Sequence, residues 1–123
     1  VLPRGVIQAS LRNVYGDPSK VTPELIDRYF ELTLRAGNRK ALAYRMDQRL
    51  SGEEVSIKDL KIPTLIIWGA KDKLIPLDNA KRFATDIQGS KLVVFDALGH
   101  VPHEEDAKIT VEAFKEFVGP PPR

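Results

Sequence analysis

Asp72 and His100 are the two side chains whose types and settings could do chemistry together. An aspartate that accepts the Nδ1–H of an imidazole fixes its tautomer and stabilises the imidazolium. Nε2 is then free to act as a general base. Each residue sits just past a short apolar run: Asp72 after Gly69-Ala70-Lys71, and His100 after Asp96-Ala97-Leu98-Gly99. Gly99 would let the backbone turn tightly and present the ring. Taken singly, both have plainer readings. An aspartate in a turn commonly bonds its own backbone, and a loop histidine is commonly structural or solvated. The chemical reading rests on the pair, Asp then His, at two strand ends.

Those strand ends need elements to hold them. Pro63 leads into Thr64-Leu65-Ile66-Ile67-Trp68, a nearly continuous apolar and β-branched run that reads as a strand buried on both faces. Leu77 to Ile87 follows as an amphipathic helix, with Ala80, Phe83, Ala84 and Ile87 on one side and Gly89 at its C′ position. Leu92-Val93-Val94-Phe95 is a second strand. Strand, helix, strand implies parallel neighbours joined by a crossover, and functional groups in such sheets gather beyond the carboxyl ends of the strands. A last helix is expected from Glu104 to Val118. Glu104, Glu105 and Asp106 would sit in its first turn, where the macrodipole favours anions, with Phe114, Phe117 and Val118 on its buried side.

Residues 1 to 56 have a different texture. Val6, Ile7, Leu11 and Val14 recur at helical spacing until Gly16-Asp17-Pro18 breaks the pattern. Thr22-Pro23 is a helix start, Leu25, Ile26, Tyr29, Phe30 and Leu32 its apolar stripe, and Gly37 its stop. Asn38 can cap a third helix bearing Ala41, Leu42, Arg45, Met46 and Leu50. Ser51-Gly52-Glu53-Glu54 reads as a surface loop, and Ser56-Ile57-Lys58-Asp59 as a short capping box.

Ile62-Pro63-Thr64-Leu65-Ile66-Ile67-Trp68-Gly69-Ala70-Lys71-Asp72-Lys73-Leu74-Ile75-Pro76 resembles the segment around the triad acid of the α/β-hydrolase superfamily. Gly99-His100-Val101-Pro102-His103-Glu104-Glu105 resembles that family's catalytic-histidine segment, and the helix and strand between them also fit its pattern. The resemblance covers roughly residues 57–118. It implies an α/β fold in which 57–123 is the C-terminal βαβα segment of the hydrolase core, and 1–56 a helical cap or lid. It implies Asp72 and His100 as catalytic residues, with Ile75 and Val101 lining a substrate pocket. It implies a small ester or related molecule as substrate, and no cofactor.

In that family the chain order is Ser, then Asp or Glu, then His, with the nucleophile in a G-x-S-x-G elbow. Ser10, Ser19, Ser51, Ser56 and Ser90 all lack the flanking glycines. Two triad members are therefore expected here without the nucleophile, on a chain that starts at Val1 and reads as part of something longer. The competing reading is a non-catalytic interaction or structural domain on the same fold. Alone, the chain is expected to be inactive, and to bind a missing N-terminal half or self-associate through the edge of strand 64–68.

His100 and His103 form an H-x-x-H beside Glu104, but that spacing brings both rings together only on a helix. Pro102 disfavours helix at Val101, so no metal is expected and His103 is placed at a helix start. Trp68, Tyr29 and Tyr44 read as packing residues. The 123 residues carry 19 basic and 17 acidic side chains and no cysteine. That near-balance lacks the basic patch of a nucleic-acid or anionic-membrane binder, and no apolar run is long enough to span a bilayer. Without cysteine there are no disulfides or thiolate metal sites, which is compatible with a cytoplasmic location.

Overall fold

The computed structural model of the chain describes residues 3–51 and 56–120. Three helices come first: α1 (Arg4–Val14), α2 (Pro23–Leu34) and α3 (Asn38–Ser51), with a 3₁₀ turn at Pro18–Lys20. Thr22 caps α2 through its hydroxyl, which accepts from the Leu25 N–H at 3.2 Å, and Pro23 takes the first helical position. Such a cap stabilises a helix by about 1 kcal/mol. Ile7, Leu11, Tyr15, Val21 and Ile26 form a buried cluster between α1 and α2, and Val14, Leu25, Tyr29, Phe30 and Val101 pack against it.

After a 3₁₀ turn at Ile57–Asp59 come β1 (Leu65–Gly69), α4 (Leu77–Asp86), β2 (Lys91–Phe95), α5 (Pro102–Glu105) and α6 (Ala107–Val118). β1 and β2 pair in parallel, from Leu65 opposite Lys91 to Gly69 opposite Phe95. Among the described residues the sheet has these two strands, so β1 has a strand neighbour on one side. Ile66, Ala80, Ile87 and Leu98 are buried around it. The parallel pairing sends the loops after β1 and β2 off the same edge of the sheet.

Several local expectations need correction. The last helix is broken at Asp106, whose side chain caps α6 by accepting from Ile109 N–H at 3.3 Å. An Asp prefers that capping role to a helix interior. Phe114 and Val118 are exposed rather than buried, because no described element covers that face of α6. Leu42 and Met46 of α3 are likewise exposed. Asn38 is the first residue of α3, not its cap, and its amide donates instead to Leu32 O at the end of α2. Gly37 adopts a positive φ of 89°, but after α2 has already ended at Leu34. Gly89 adopts 77°, one residue beyond C′, since Ile87 is the C-cap. Ser56 makes no side-chain cap. Ser51 ends α3, and 52–55, the rest of the expected loop, lie outside the described residues.

Candidate active site

Three backbones stack at the edge where the strands end. The innermost is Gly69, the last residue of β1; next comes Leu98–Gly99 of the loop after β2; outermost is Val14–Gly16, where α1 ends. A Cβ on Gly69 would collide with Leu98 O and Gly99 O, and one on Gly99 with Val14 O and Gly16 N. On Gly16 it would lie 2.5 Å from Ala97 O. Glycine is required at these layers because backbone must approach backbone without a side chain between.

Hydrogen bonds fasten the layers. Ala70 N–H donates to Phe95 O and Lys71 N–H to Leu98 O, both at 2.9 Å, which binds the acid loop to the histidine loop. His100 N–H donates to Val14 O at 2.8 Å, which binds the histidine loop to α1. Glu105, at the end of α5, adds a second link to α1. Its Oε2 accepts from Gly99 N–H at 2.7 Å and Gly16 N–H at 2.9 Å, and its Oε1 from Asp17 N–H at 2.9 Å. The side chain is fully buried. Three N–H donors supply the compensation a buried carboxylate needs.

Within this frame Asp72 and His100 meet. His100 Nδ1 lies 2.8 Å from Asp72 Oδ2. Asp72 Oδ1 accepts from Leu74 N–H at 2.8 Å and Ile75 N–H at 2.9 Å. The Asp72 side chain is 4% exposed and that of His100 32%, so the acid is enclosed while the ring faces outward. Burial pushes the Asp72 carboxyl up, but donation from Ile75 N–H, His100 and Leu74 N–H outweighs it and holds the group below its ordinary range. Asp72 is therefore ionised at neutral pH. With that carboxylate as acceptor, the neutral ring carries its proton on Nδ1 and a lone pair on Nε2. Among the described residues Nε2 has no hydrogen-bond partner, and the pair shares a cleft of about 110 Å³ with Ile67, Trp68, Gly69 and Pro102.

Ile75 and Val101 flank the pair without lining this cleft. Ile75 is 41% exposed, its N–H held by Asp72 and its carbonyl accepting from the Trp68 indole at 3.2 Å. Val101 leans on the helical cluster instead. His103 is exposed on α5, and no group of three or more His, Cys, Asp or Glu side chains that could hold a metal occurs among the described residues. Trp68 packs on Phe83, with ring centroids 6.1 Å apart. Tyr29 donates to Glu104 Oε2 at 2.6 Å, and burial together with that bond pushes its phenol up to about 12. Tyr15 is raised as well, first by burial and then by the Glu104 charge.

Glu105 was missed by sequence reading. It stands in a run of three acidic residues, and nothing in residue type separated it from Glu104 as a helix-start anion. A cue was available in hindsight: a glutamate directly before an aspartate that can itself cap leaves the first carboxylate without a helical task.

The model for the α/β hydrolase fold matches residues 8–107. The chain belongs to the α/β-hydrolase family. It is 28% identical over 113 residues to an uncharacterized hydrolase, YugF, of Bacillus subtilis, covering 91% of this chain and 41% of that protein. It is 28% identical over 109 residues to 2-hydroxy-6-oxo-2,4-heptadienoate hydrolase of Pseudomonas putida, covering 83% of this chain and 40% of the relative. The meta-cleavage product hydrolase CumD of Pseudomonas fluorescens superposes with a TM-score of 0.80 at 26% identity, over 96% of this chain and 46% of its own. The α/β-hydrolase chain described here thus spans about two fifths of the length of these curated relatives. Its fold, helices followed by two parallel strands with their helices, is part of theirs.

Proposed function

We propose that this chain carries the acid–base half of a Ser–Asp–His triad in a hydrolase of small ester-like or related substrates. The observation that supports this best is the 2.8 Å contact of His100 Nδ1 with an Asp72 whose other oxygen is held by two backbone N–H groups. Asp72 orients the ring, and His100 Nε2 takes the proton from a serine hydroxyl as it attacks the carbonyl carbon. The imidazolium then returns the proton to the leaving group, and water repeats the cycle on the acyl-enzyme. The nucleophile lies outside these 123 residues, which contain no G-x-S-x-G. Residues 1–56 act as the cap, and Ile75 and Val101 contribute to the substrate pocket from either side of the pair, outside the small cleft lined by Ile67, Trp68 and Pro102. Two of the similar proteins are hydrolases of 2-hydroxy-6-oxo-dienoates and of meta-cleavage products by name. Substrates of that kind are therefore within the range proposed here.

A second reading is a non-catalytic module on the same fold, which a lack of that elbow upstream of Val1 would favour. The two are separated by joining the chain to its nucleophile-bearing half and assaying an activated ester. In the joined enzyme Asp72→Asn lowers kcat by on the order of 10⁴, as the corresponding change does in serine proteases, while KM changes little. Turnover near that of the parent enzyme would assign the acid elsewhere. An inactive joined protein would favour the non-catalytic module.

A further inference from the structure

We propose that Glu105 is a positioning residue for His100, coupling the placement of the helical segment 1–56 to the stance of the imidazole. The inference rests on the reading of Asp72 and His100 as a proton-transfer pair. It concerns a different residue, one that touches neither ring nor substrate.

The argument is geometric. Apart from the bond of its ring to Asp72, His100 is attached to the sheet only through Gly99 and the short loop before it, and its own N–H is given to Val14 O at 2.8 Å, not to a strand. The position of the ring is therefore set from two sides, by the end of β2 and by the end of α1. Nothing in the peptide chain joins these directly, since 85 or so residues separate them (88 and 89 for the partners of Glu105 itself). Glu105 adds a second join beside the bond from His100 N–H to Val14 O. One oxygen bridges Gly99 and Gly16, the residues that face each other across the stack, and the other extends the grip to Asp17. The Lys20 ammonium, 3.9 Å from Oε1, is the nearest cation, and it too belongs to the helical segment. A carboxylate is the group this position needs. It offers lone pairs to three donors and has no proton to turn toward any of them, whereas an amide would aim its NH2 at an N–H. Displacing α1 relative to the sheet pulls on Gly16 and Asp17. Through Glu105 and Gly99 it then swings His100 away from Asp72.

The test reads the imidazole directly, in the 123-residue chain labelled with ¹⁵N-histidine. An Nδ1–H held by Asp72 gives a downfield proton signal that exchanges slowly with water. Glu105→Gln should leave a dispersed, folded spectrum but speed that exchange by at least about tenfold, the effect of losing one bond to a charged acceptor. Glu105→Asp, which keeps the carboxylate, should recover part of the protection. A folded Glu105→Gln chain with the parent signal and exchange rate would overturn the proposal. Asp72→Asn is the separate control, because losing no signal there would sink the pairing of Asp72 with His100 and leave Glu105 to be judged on the amides. Those amides also decide the matter if the Glu105 variants do not fold. In the parent chain Gly16, Asp17 and Gly99 should exchange through one common opening, and Gly16 and Asp17 exchanging tenfold or more faster than Gly99 would show that no coupling exists.

Discussion

Adding one methyl group at Gly99 should unfold the stack on which the site is built. A Cβ there meets Val14 O and Gly16 N, both backbone atoms on an element anchored by its own buried side chains, Leu11 and Tyr15. No flexible side chain can swing aside, so α1 or the histidine loop must move. Overpacking of this kind costs about 1–3 kcal/mol. The movement also breaks the bond from His100 N–H to Val14 O, worth a further net 0.5–1.5 kcal/mol or so. Gly99→Ala should therefore destabilise the chain by roughly 2–4 kcal/mol. With a urea slope of about 1–3 kcal/mol per molar, the unfolding midpoint, followed by Trp68 fluorescence, should fall by about 1–2 M. Gly5→Ala is the matched comparison. Gly5 lies in α1 with nothing within 4 Å of its missing Cβ, so the same methyl group should raise stability by up to ~1 kcal/mol through helix propensity. Opposite signs for one chemical change would tie the effect to the crossing of backbones. A Gly99→Ala midpoint within experimental error of the parent would refute the stacking argument.

The Asp72 carboxyl is held below its ordinary value of 3.8, so the stability it contributes is complete above that pH and is lost as pH falls through its lower folded value. Asp72→Asn should flatten this acid limb in stability measured against pH, and an unchanged limb would mean the carboxylate is not stabilised by folding. Tyr29 carries the opposite sign: with its phenol raised to about 12, its contribution is complete below pH ~10 and disappears between there and 12. Tyr29→Phe should shrink that alkaline loss while lowering stability at neutral pH by about 1–3 kcal/mol, because Glu104 loses its donor in a half-buried setting. Elemental analysis of the purified chain should find no stoichiometric metal; one equivalent of zinc, lost on replacing His100 or His103, would contradict this. Sedimentation equilibrium on the 123-residue chain should show self-association through the open side of β1, and a stable monomer that hydrolyses an activated ester would contradict both that and the absence of a nucleophile.

How much of this was legible beforehand depended on range. The β1–α4–β2 unit could be read because its signals are local: a β-branched run, a helical stripe ending in Ile87, a second run. The meeting of Asp72 and His100 then followed from parallel pairing, which places both loops on one edge. The resemblance of residues 57–118 added the family, and the match over residues 8–107 bears it out. What escaped was anything decided by contacts distant in sequence. Asp106 could continue a helix or cap one, and only the turn of the chain toward Gly16 decides between them. Glu105 is the same case in sharper form, because its three partners lie on two other loops. Phe114 and Val118 show the converse. Their helical spacing correctly marks an apolar face, but spacing carries no information about whether a covering element lies within the same residues.

The parallel register also divides the sheet into a chemical edge and a blank one. Asp72, His100, Gly99 and the buried Glu105 all gather where β1 and β2 end, while the chain enters both strands at the other margin, past Ile62–Pro63 and through the turn Gln88–Gly89–Ser90. A five-residue strand at about 3.3 Å per residue keeps the two margins roughly 16 Å apart. Gly89 has open space around it but holds a positive φ that a side chain would strain, so the position to replace is its exposed neighbour Gln88. That turn is the natural place to graft a fluorophore, an affinity peptide or a tether to a surface, since a graft there leaves the histidine and its supports untouched. Work on Asp72 and His100 can thus be instrumented from the far side of the sheet, with the α4 crossover as the spacer.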